Sequence, residues 1–448
     1  RPARRGPVPG GALRDVTATA TERAVVEAVA RRRRELVDLA ARLVAFDTTA
    51  GAGTGQEAAL QAHLAERLRA AGAEVDLWVP GDGVVAGSRQ VPAGFTFGGR
   101  PHLAARLRGR GGEGGRSLLF NGHVDVVPAG DPAAWTTPPF DPVVRDGRLH
   151  GRGACDMKGG VAAMVVAAEV LAEHAALAGD LVVCTVTDEE ETGAGAIAAV
   201  ARGVRADAGL IPEPTGFDAW VACRGDVIAE ITVRGRLGHA GIEHPPGDAV
   251  NAIEKARVVM SALRRLHDAR RARPDHRHPH LSPGHVIPTR IRGGDWPVNV
   301  PDACTVTYHV AYLPAHADAD GWGTAVEAEV EAAVRDAAAA DPWLAAHPPE
   351  VRRLLDIPAA EVAGDEPIID VALAAAADLG RPGRRAGLDS WHDGATFTRF
   401  GATPTIAVGP PSIDRAHTVD ESVPVDDLVA CAQLYALAAL RFLGTVGG

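Results

Sequence analysis

Apolar residues recur at helical spacing from Thr21 to Ala45 and again from Gln56, where Leu60, Leu64 and Leu68 share one face and Gly72 ends the run. Short apolar runs at Val75–Val79, Leu103–Leu107, Leu118–Asn121, Leu181–Thr187 and Ala208–Ile211 read as strands. The stretches Lys158–Ala175 and Ala194–Ala201 between them read as helices. This repeated βαβ order predicts an α/β domain whose mostly parallel sheet is flanked by helices. After Cys223 the rhythm changes to strand Val227–Val233, helix Asp248–Leu266, strands His285–Ile291 and Ala303–Tyr312, helix Thr324–Asp336 and strand Glu350–Leu355. That is a complete βαββαβ (ferredoxin-like) unit. Thr324 and Glu327 stand at capping-box spacing at the start of its second helix. The first pattern then resumes with helix Pro367–Leu379, strand Thr405–Val408 and helix Asp426–Leu443, closed by Gly444. The expected organisation is a flexible head at 1–16, a larger domain made of 17–223 and 358–448, and a smaller domain, 224–357, inserted into it.

Composition narrows the partners. The 448 residues are 46% hydrophobic and 23% charged, which excludes a disordered chain. Aromatic residues are only 4%, so the cores must be closely packed from Ala and Val. With 57 acidic against 46 basic residues the net charge is −11, which opposes a charge-driven grip on nucleic acid or acidic lipid. Apolar runs such as Val161–Ala168 end well short of the ~18 residues a membrane span needs. Five scattered cysteines without a CxxC pair argue against a disulfide framework or a cysteine zinc site, and read as buried thiols of a reducing, cytoplasmic protein. Residues 1–16, with four Arg, three Pro and three Gly, lack the apolar run of a signal peptide. The tract Asp275–His280, rich in His but broken by Pro279, reads as an exposed loop rather than a metal site.

Candidate chemistry gathers at the ends of the apolar strands, where α/β sheets present functional groups. His123 and Asp125 close the strand around Asn121, and a carboxylate beside an imidazole sets its tautomer and basicity. Asp156 sits in the glycine-rich turn 151–160 before a helix, a place that equally suits a helix cap. The run Asp188, Glu189, Glu190, Glu191 follows another strand, and divalent cations would relieve its repulsion. Glu213 stands between two prolines at a fourth strand end, and His417 lies in the late loop before Asp420 and Glu421. Together these supply the nitrogen and oxygen ligands of a dinuclear zinc site.

Five such motifs in this order, over nearly the whole chain after the head, resemble the acetylornithine deacetylase, succinyl-diaminopimelate desuccinylase, carboxypeptidase G and aminoacylase family of dinuclear zinc metallohydrolases. The resemblance implies two divalent metal ions, zinc before cobalt. His123 and Glu190 would hold one ion and Glu213 and His417 the other, with Asp156 bridging. It implies that Asp125 orients His123, that Glu189 is the general base, and that the peptide after Asp156 is cis. The inserted domain would serve as a lid and as the contact of a homodimer. Within it, Gly235–Ala240 looks like the family motif whose His, here His239, donates to the oxyanion in the partner's site, and Asn299 looks like a substrate contact. The segments around Asp393 and Gly409 resemble substrate-side elements of the same family.

Two departures bear on the substrate. Where many members carry an Arg that grips the substrate carboxylate, the matching stretch His309–Pro314 has Ala311, and the usual Gly-Pro-Gly turn reads Gly409, Pro410, Pro411. Arg292 or Arg399 would be the nearest replacements for the missing guanidinium. The reading is therefore hydrolysis of a linear amide in a small molecule, in the first place deacylation of an N-acylated amino acid or similar amine. Alternatives are a dipeptidase or carboxypeptidase with the same site, and a hydrolase of an unusual amide in specialised metabolism.

Overall fold

The computed structural model describes residues 18–51, 56–112 and 114–446; the head expected at 1–16 lies outside the described residues. The larger sheet has nine strands. Its order is Glu74–Trp78, His102–Leu107, Asp180–Val186, Ser117–His123, Ala208–Ile211, Thr405–Ala407, Ala219–Cys223 and Ala360–Glu361, with Arg385–Leu388 also paired to Ala219–Cys223. The centre is parallel: Ser117–His123 lies between Asp180–Val186 and Ala208–Ile211. The edge beyond His102–Leu107 is antiparallel. Parallel strands put their carboxyl ends on one side of the sheet, so the segments after His123, Val186 and Ile211 emerge together.

Helix Lys158–His174 packs between this sheet and the helices Arg33–Val44 and Val425–Leu443. Every residue from Lys158 to Leu171 is buried: Ala, Val and Gly fill most of the surface, and the two charged residues are satisfied, Lys158 by the Phe46 carbonyl at 2.7 Å and Glu169 by Arg67 at 2.7 Å. Gly160 is required there, because a Cβ at that position would lie 2.5 Å from the carbonyl oxygen of Pro212. The chain crosses to a second sheet at Arg224. That sheet is antiparallel throughout, in the order Val286–Gly293, Ala303–Tyr312, Gly225–Arg234, Glu350–Ile357. Alternation along its central strands sends Val227, Ile231, Val306, Tyr308 and Val310 into a core shared with helices Ala252–Ala272 and Thr324–Ala339.

Several local expectations change. The run Thr21–Ala45 is two helices, Ala20–Arg31 and Arg33–Val44, broken at Arg32, whose guanidinium reaches Glu35 and the buried Glu169. The capping box stands at Thr19 and Glu22, not at Thr324. Thr324 instead donates to Asp318 at 2.6 Å, and Glu327 pairs with Arg89. Asn251 caps the helix expected from Asp248, so it begins at Ala252. Strands of three residues, Val143–Arg145, Arg148–His150 and Ser422–Pro424, form a small sheet of their own, too short to leave a periodic signal. The histidine tract is not an open loop throughout: Pro274–His276 is a helical turn, with His276 only 1% exposed against the ring of His316.

Gly160→Ala should destabilise the protein, because overpacking against Pro212 costs about 1–3 kcal/mol and outweighs a gain of about 1 kcal/mol in helix propensity. A lower urea midpoint is expected; an unchanged or raised midpoint would refute the close approach.

Candidate metal centre and active site

His123 ends the central strand almost fully buried. Its Nδ1 lies 3.0 Å from the backbone carbonyl of Asp125 and 3.7 Å from the Asp125 carboxylate, which leaves Nε2 facing the cluster beyond. The orienting contact is thus made first by the main chain. The Asp125 carboxylate accepts hydrogen bonds from the backbone N–H groups of Glu189 (3.3 Å) and Glu190 (3.1 Å). One buried acid therefore ties the acidic turn to the imidazole. Asp188, at φ 70°, is buried and accepts from Arg100 at 3.0 Å, so the first acid of that run is a structural ion pair.

Asp156 is held from the other side. The backbone N–H groups of Cys155 (2.8 Å) and Asp156 (3.0 Å) both donate to Oε1 of Glu421, whose other oxygen pairs with Arg152. The Glu421 backbone carbonyl accepts from Gly151 at 3.0 Å, and the small sheet joins Ser422 to His150. These contacts fasten the late loop to the glycine-rich turn. The Asp156–Met157 peptide is cis, and so is Pro410–Pro411.

The two oxygens of Asp156 point to different histidines: Oδ1 lies 3.1 Å from His123 Nε2 and Oδ2 lies 3.4 Å from His417 Nε2. Glu190 Oε2 is 3.0 Å from His417, whereas Glu213 Oε1 is 3.9 Å and Glu189 Oε2 3.8 Å from His123. This exchanges the two glutamates in the grouping implied by resemblance: Glu213 stands with His123, and Glu190 with His417. The strand before Glu213 is a direct neighbour of the His123 strand, and the turn at Asp188 swings Glu190 toward the late loop. One donor atom each from His123, Asp156 and Glu190 nevertheless lie within 4.8 Å of one another, so the whole set is compact.

Burial pushes Glu189 and Glu213 well above the usual carboxylate range, and neighbouring acids add to it. Burial alone would depress His123, but Glu189, Asp156, Asp125 and Glu213 raise it well above its ordinary value. Hydrogen bonds to Asp156 and Glu190 raise His417 to about 10. Oε1 of Glu190 and Oε1 of Glu213 are buried with no hydrogen-bond partner among the described residues. Two imidazoles, three crowded carboxylates and unpartnered oxygens fit divalent cations of the zinc type.

The cluster opens into a cavity of about 360 Å³. Its acidic wall includes Glu189, and Trp220, Trp391 and His392 are on its lining too. Nδ1 of His392 accepts from the Gly394 N–H at 3.1 Å, which places the proton on Nε2. Burial lowers this imidazole to about 4, so it is neutral at physiological pH.

Other expected contacts lie elsewhere. Asp393 does not line the cavity; it is buried, accepts from Asn121 at 3.4 Å and is raised to about 7, chiefly by burial. Gly409 packs against the backbone of Pro212 and Glu213, where a Cβ would approach within 2.7 Å, so it supports Glu213. His239 and Asn299 pair in a two-stranded ribbon of the inserted domain, and His239 is exposed. Arg292 is exposed on the edge strand opposite Thr305, and Ala311 is fully buried opposite Asp226. The segment Asp389–Gly394, expected on the substrate side, does reach the cavity through Trp391 and His392, whereas the sequence assigned no role to Glu421, Arg152 or Trp220. Glu421 closes the motif that carries His417, but only the fold shows what it holds.

A profile of Peptidase family M20/M25/M40 matches residues 119–441. An N-formyl-4-amino-5-aminomethyl-2-methylpyrimidine deformylase of Halalkalibacterium halodurans is 28% identical over 426 residues, 90% of this chain and 92% of that one. A succinyl-diaminopimelate desuccinylase of Stenotrophomonas maltophilia is 32% identical over 429 residues, 91% of this chain and 99% of that one. Among solved structures, a dinuclear metal-binding peptidase of Bacillus subtilis superposes with a TM-score of 0.65 at 17% identity, covering 93% of this chain and all of the other. Among the described residues, no helix is long and apolar enough to cross a membrane.

Glu421→Gln removes the charge that balances buried Arg152 and weakens the anchor of the Asp156 turn. A loss of about 3–5 kcal/mol is expected, with reduced metal retention by elemental analysis. Wild-type stability and metal content in this variant would show that the Asp156 turn holds itself.

Proposed function

Because the chain belongs to Peptidase family M20/M25/M40 and is a hydrolase of amide bonds, we propose that it removes an acyl group from the nitrogen of a small planar amine, with Glu189 as general base. The observation that carries this reading is the placement of Glu189: buried, on the cavity wall, 3.8 Å from His123, with its backbone clamped by Asp125. Two divalent ions, zinc in the first place and cobalt as the alternative, would be held by His123, Glu213 and Asp156 and by His417, Glu190 and Asp156. The dinuclear neighbour supports that number. When bound, such ions supply Lewis acidity toward the amide carbonyl and toward water.

The chain's own groups then divide the work. Glu189 takes the proton of the attacking water and returns it to the departing nitrogen. His392 offers its Nε2–H to a substrate oxygen, and Trp220 and Trp391 give a planar group two aromatic walls. His239 would donate to the oxyanion in the site of a second copy.

The substrate reading draws on the resemblance, which expects a carboxylate-gripping Arg where this chain has Ala311, fully buried and with no guanidinium to offer. It is also supported by the deformylase relative, whose named substrate is the formyl amide of an aminomethylpyrimidine. The desuccinylase relatives favour the second reading, an N-acyl amino acid.

A second copy is the expected partner of the inserted domain. All but the first residue of edge strand Val286–Gly293 are exposed, and nearby Ile291, Trp296 and Ile242 are 54%, 65% and 61% exposed. Unpaired strand edges and apolar side chains of this kind suit pairing between copies. Five buried, unpaired cysteines support a cytoplasmic setting.

Glu189→Gln should retain its metal while kcat falls by about 10²–10⁴ or more. Loss of metal from that variant would make Glu189 a ligand. In a substrate panel, N-formyl and N-acetyl arylmethylamines should exceed N-acetylornithine, succinyl-diaminopimelate and dipeptides in kcat/KM. A value of ~10⁴ M⁻¹s⁻¹ or above for one of the carboxylate-bearing substrates would transfer the assignment to it. Sedimentation should show a dimer at micromolar concentration that Ile291→Asp dissociates; a monomeric wild type would exclude the pairing.

A further inference from the structure

We propose a second metal site in the inserted domain, formed by Asp275, His276 and His316 and suited to a divalent transition ion of the zinc class. Helix Ala252–Ala272 leads into the turn Pro274–His276, and strand Ala303–Tyr312 leads into the turn Pro314–His316. Each turn opens on a proline and closes on a histidine. They bring the two imidazoles together with ring centroids 4.0 Å apart and planes inclined at 36°. One donor atom from each of Asp275, His276 and His316 lies within 4.8 Å of the other two.

The nitrogens are buried. His276 is 1% exposed, and its Nδ1, like both ring nitrogens of His316, has no hydrogen-bond partner among the described residues. Buried polar atoms are rarely left so, and a bound ion is one way to satisfy them. The backbone carbonyl of Asp275 stands close enough to accept from one His316 N–H, which leaves the other ring nitrogen as the lone-pair donor. Burial disfavours the imidazolium form at both positions, which leaves the rings as lone-pair donors.

The surrounding charges permit a cation. Arg270 pairs with Glu329 at 2.7 Å, and Arg273 bonds both Asp275, at 2.5 and 3.1 Å, and Glu329, at 3.1 Å. Two guanidinium groups are thus matched by two carboxylates, and the ion would share Asp275 with Arg273. Two imidazoles and a carboxylate leave a fourth tetrahedral position for water. The site would join the end of a helix to the end of a strand distant in sequence. It does not depend on the catalytic reading, since none of its residues belongs to the acidic cluster.

The test uses the full chain without a histidine tag, stripped of metal, reloaded with Zn(II) and freed of excess. By elemental analysis the wild type should hold one equivalent more than His276→Gln/His316→Gln, which should keep its amidase activity. Equal metal content would overturn the proposal and leave a stacked pair of neutral histidines. If the double variant does not fold, Asp275→Ala, at an exposed position, serves instead. In a background of Asp156→Ala, Co(II) titrated against this variant should bind at least about tenfold more weakly than without it; unchanged affinity would overturn the site.

Discussion

Four carboxylates, those of Asp156, Glu189, Glu190 and Glu213, converge on two imidazoles in a largely buried pocket, and their mutual repulsion is the constraint that the surrounding structure answers. Each acid arrives on a turn that would relax away if it were free. The counterforce is a second rank of buried acids that bind main chain rather than one another. Asp125 accepts the N–H groups of Glu189 and Glu190, and Glu421 accepts those of Cys155 and Asp156. Charge-assisted bonds of this kind are about twice as strong as neutral ones and are directional, so the acids stay aimed at a common point.

The layers beneath explain how those turns come to meet. A parallel centre delivers His123 and the segments leading to Glu189 and Glu213 on one side of the sheet. The close contact of helix Lys158–His174, through Gly160, with the carbonyl of Pro212 seats the strand end that precedes Glu213. The late loop supplies His417 and Glu421 and is stitched in by three-residue strands. A family whose metal chemistry is constant can vary its substrate in the remaining wall. Here that wall carries Trp220, Trp391 and His392.

Elements with a long regular period were legible in the chain. The helix at Ala194–Ala201 and the strands Ala208–Ile211 and Ala303–Tyr312 occupy the residues their patterns indicate. The three-residue strands Val143–Arg145, Arg148–His150 and Ser422–Pro424 were invisible because their mixed polar and apolar residues hold less than two periods of alternation, whereas Thr405–Ala407 stood out as part of an apolar run. The capping box misled at Thr324, since Asp318 in the preceding loop and Arg89, far off in sequence, compete for the same two side chains. His276 looked solvent-exposed in a charged tract, yet the ring that buries it comes from a turn forty residues later.

The amino-acid sequence by itself determined which side chains are available at strand ends, the α/β class of the larger unit, and the order in which the acids and histidines occur. Those follow from periodicity and residue chemistry, which are local. Only the tertiary structure decided that Glu213 sides with His123 and Glu190 with His417, that Asp393 and Gly409 support the centre from behind, and that Glu421 holds the Asp156 turn. Each of these is a contact between segments brought together by strand order and loop direction. A one-dimensional pattern carries residue identity and spacing, whereas the sharing of a hydrogen bond or a charge depends on distance in space.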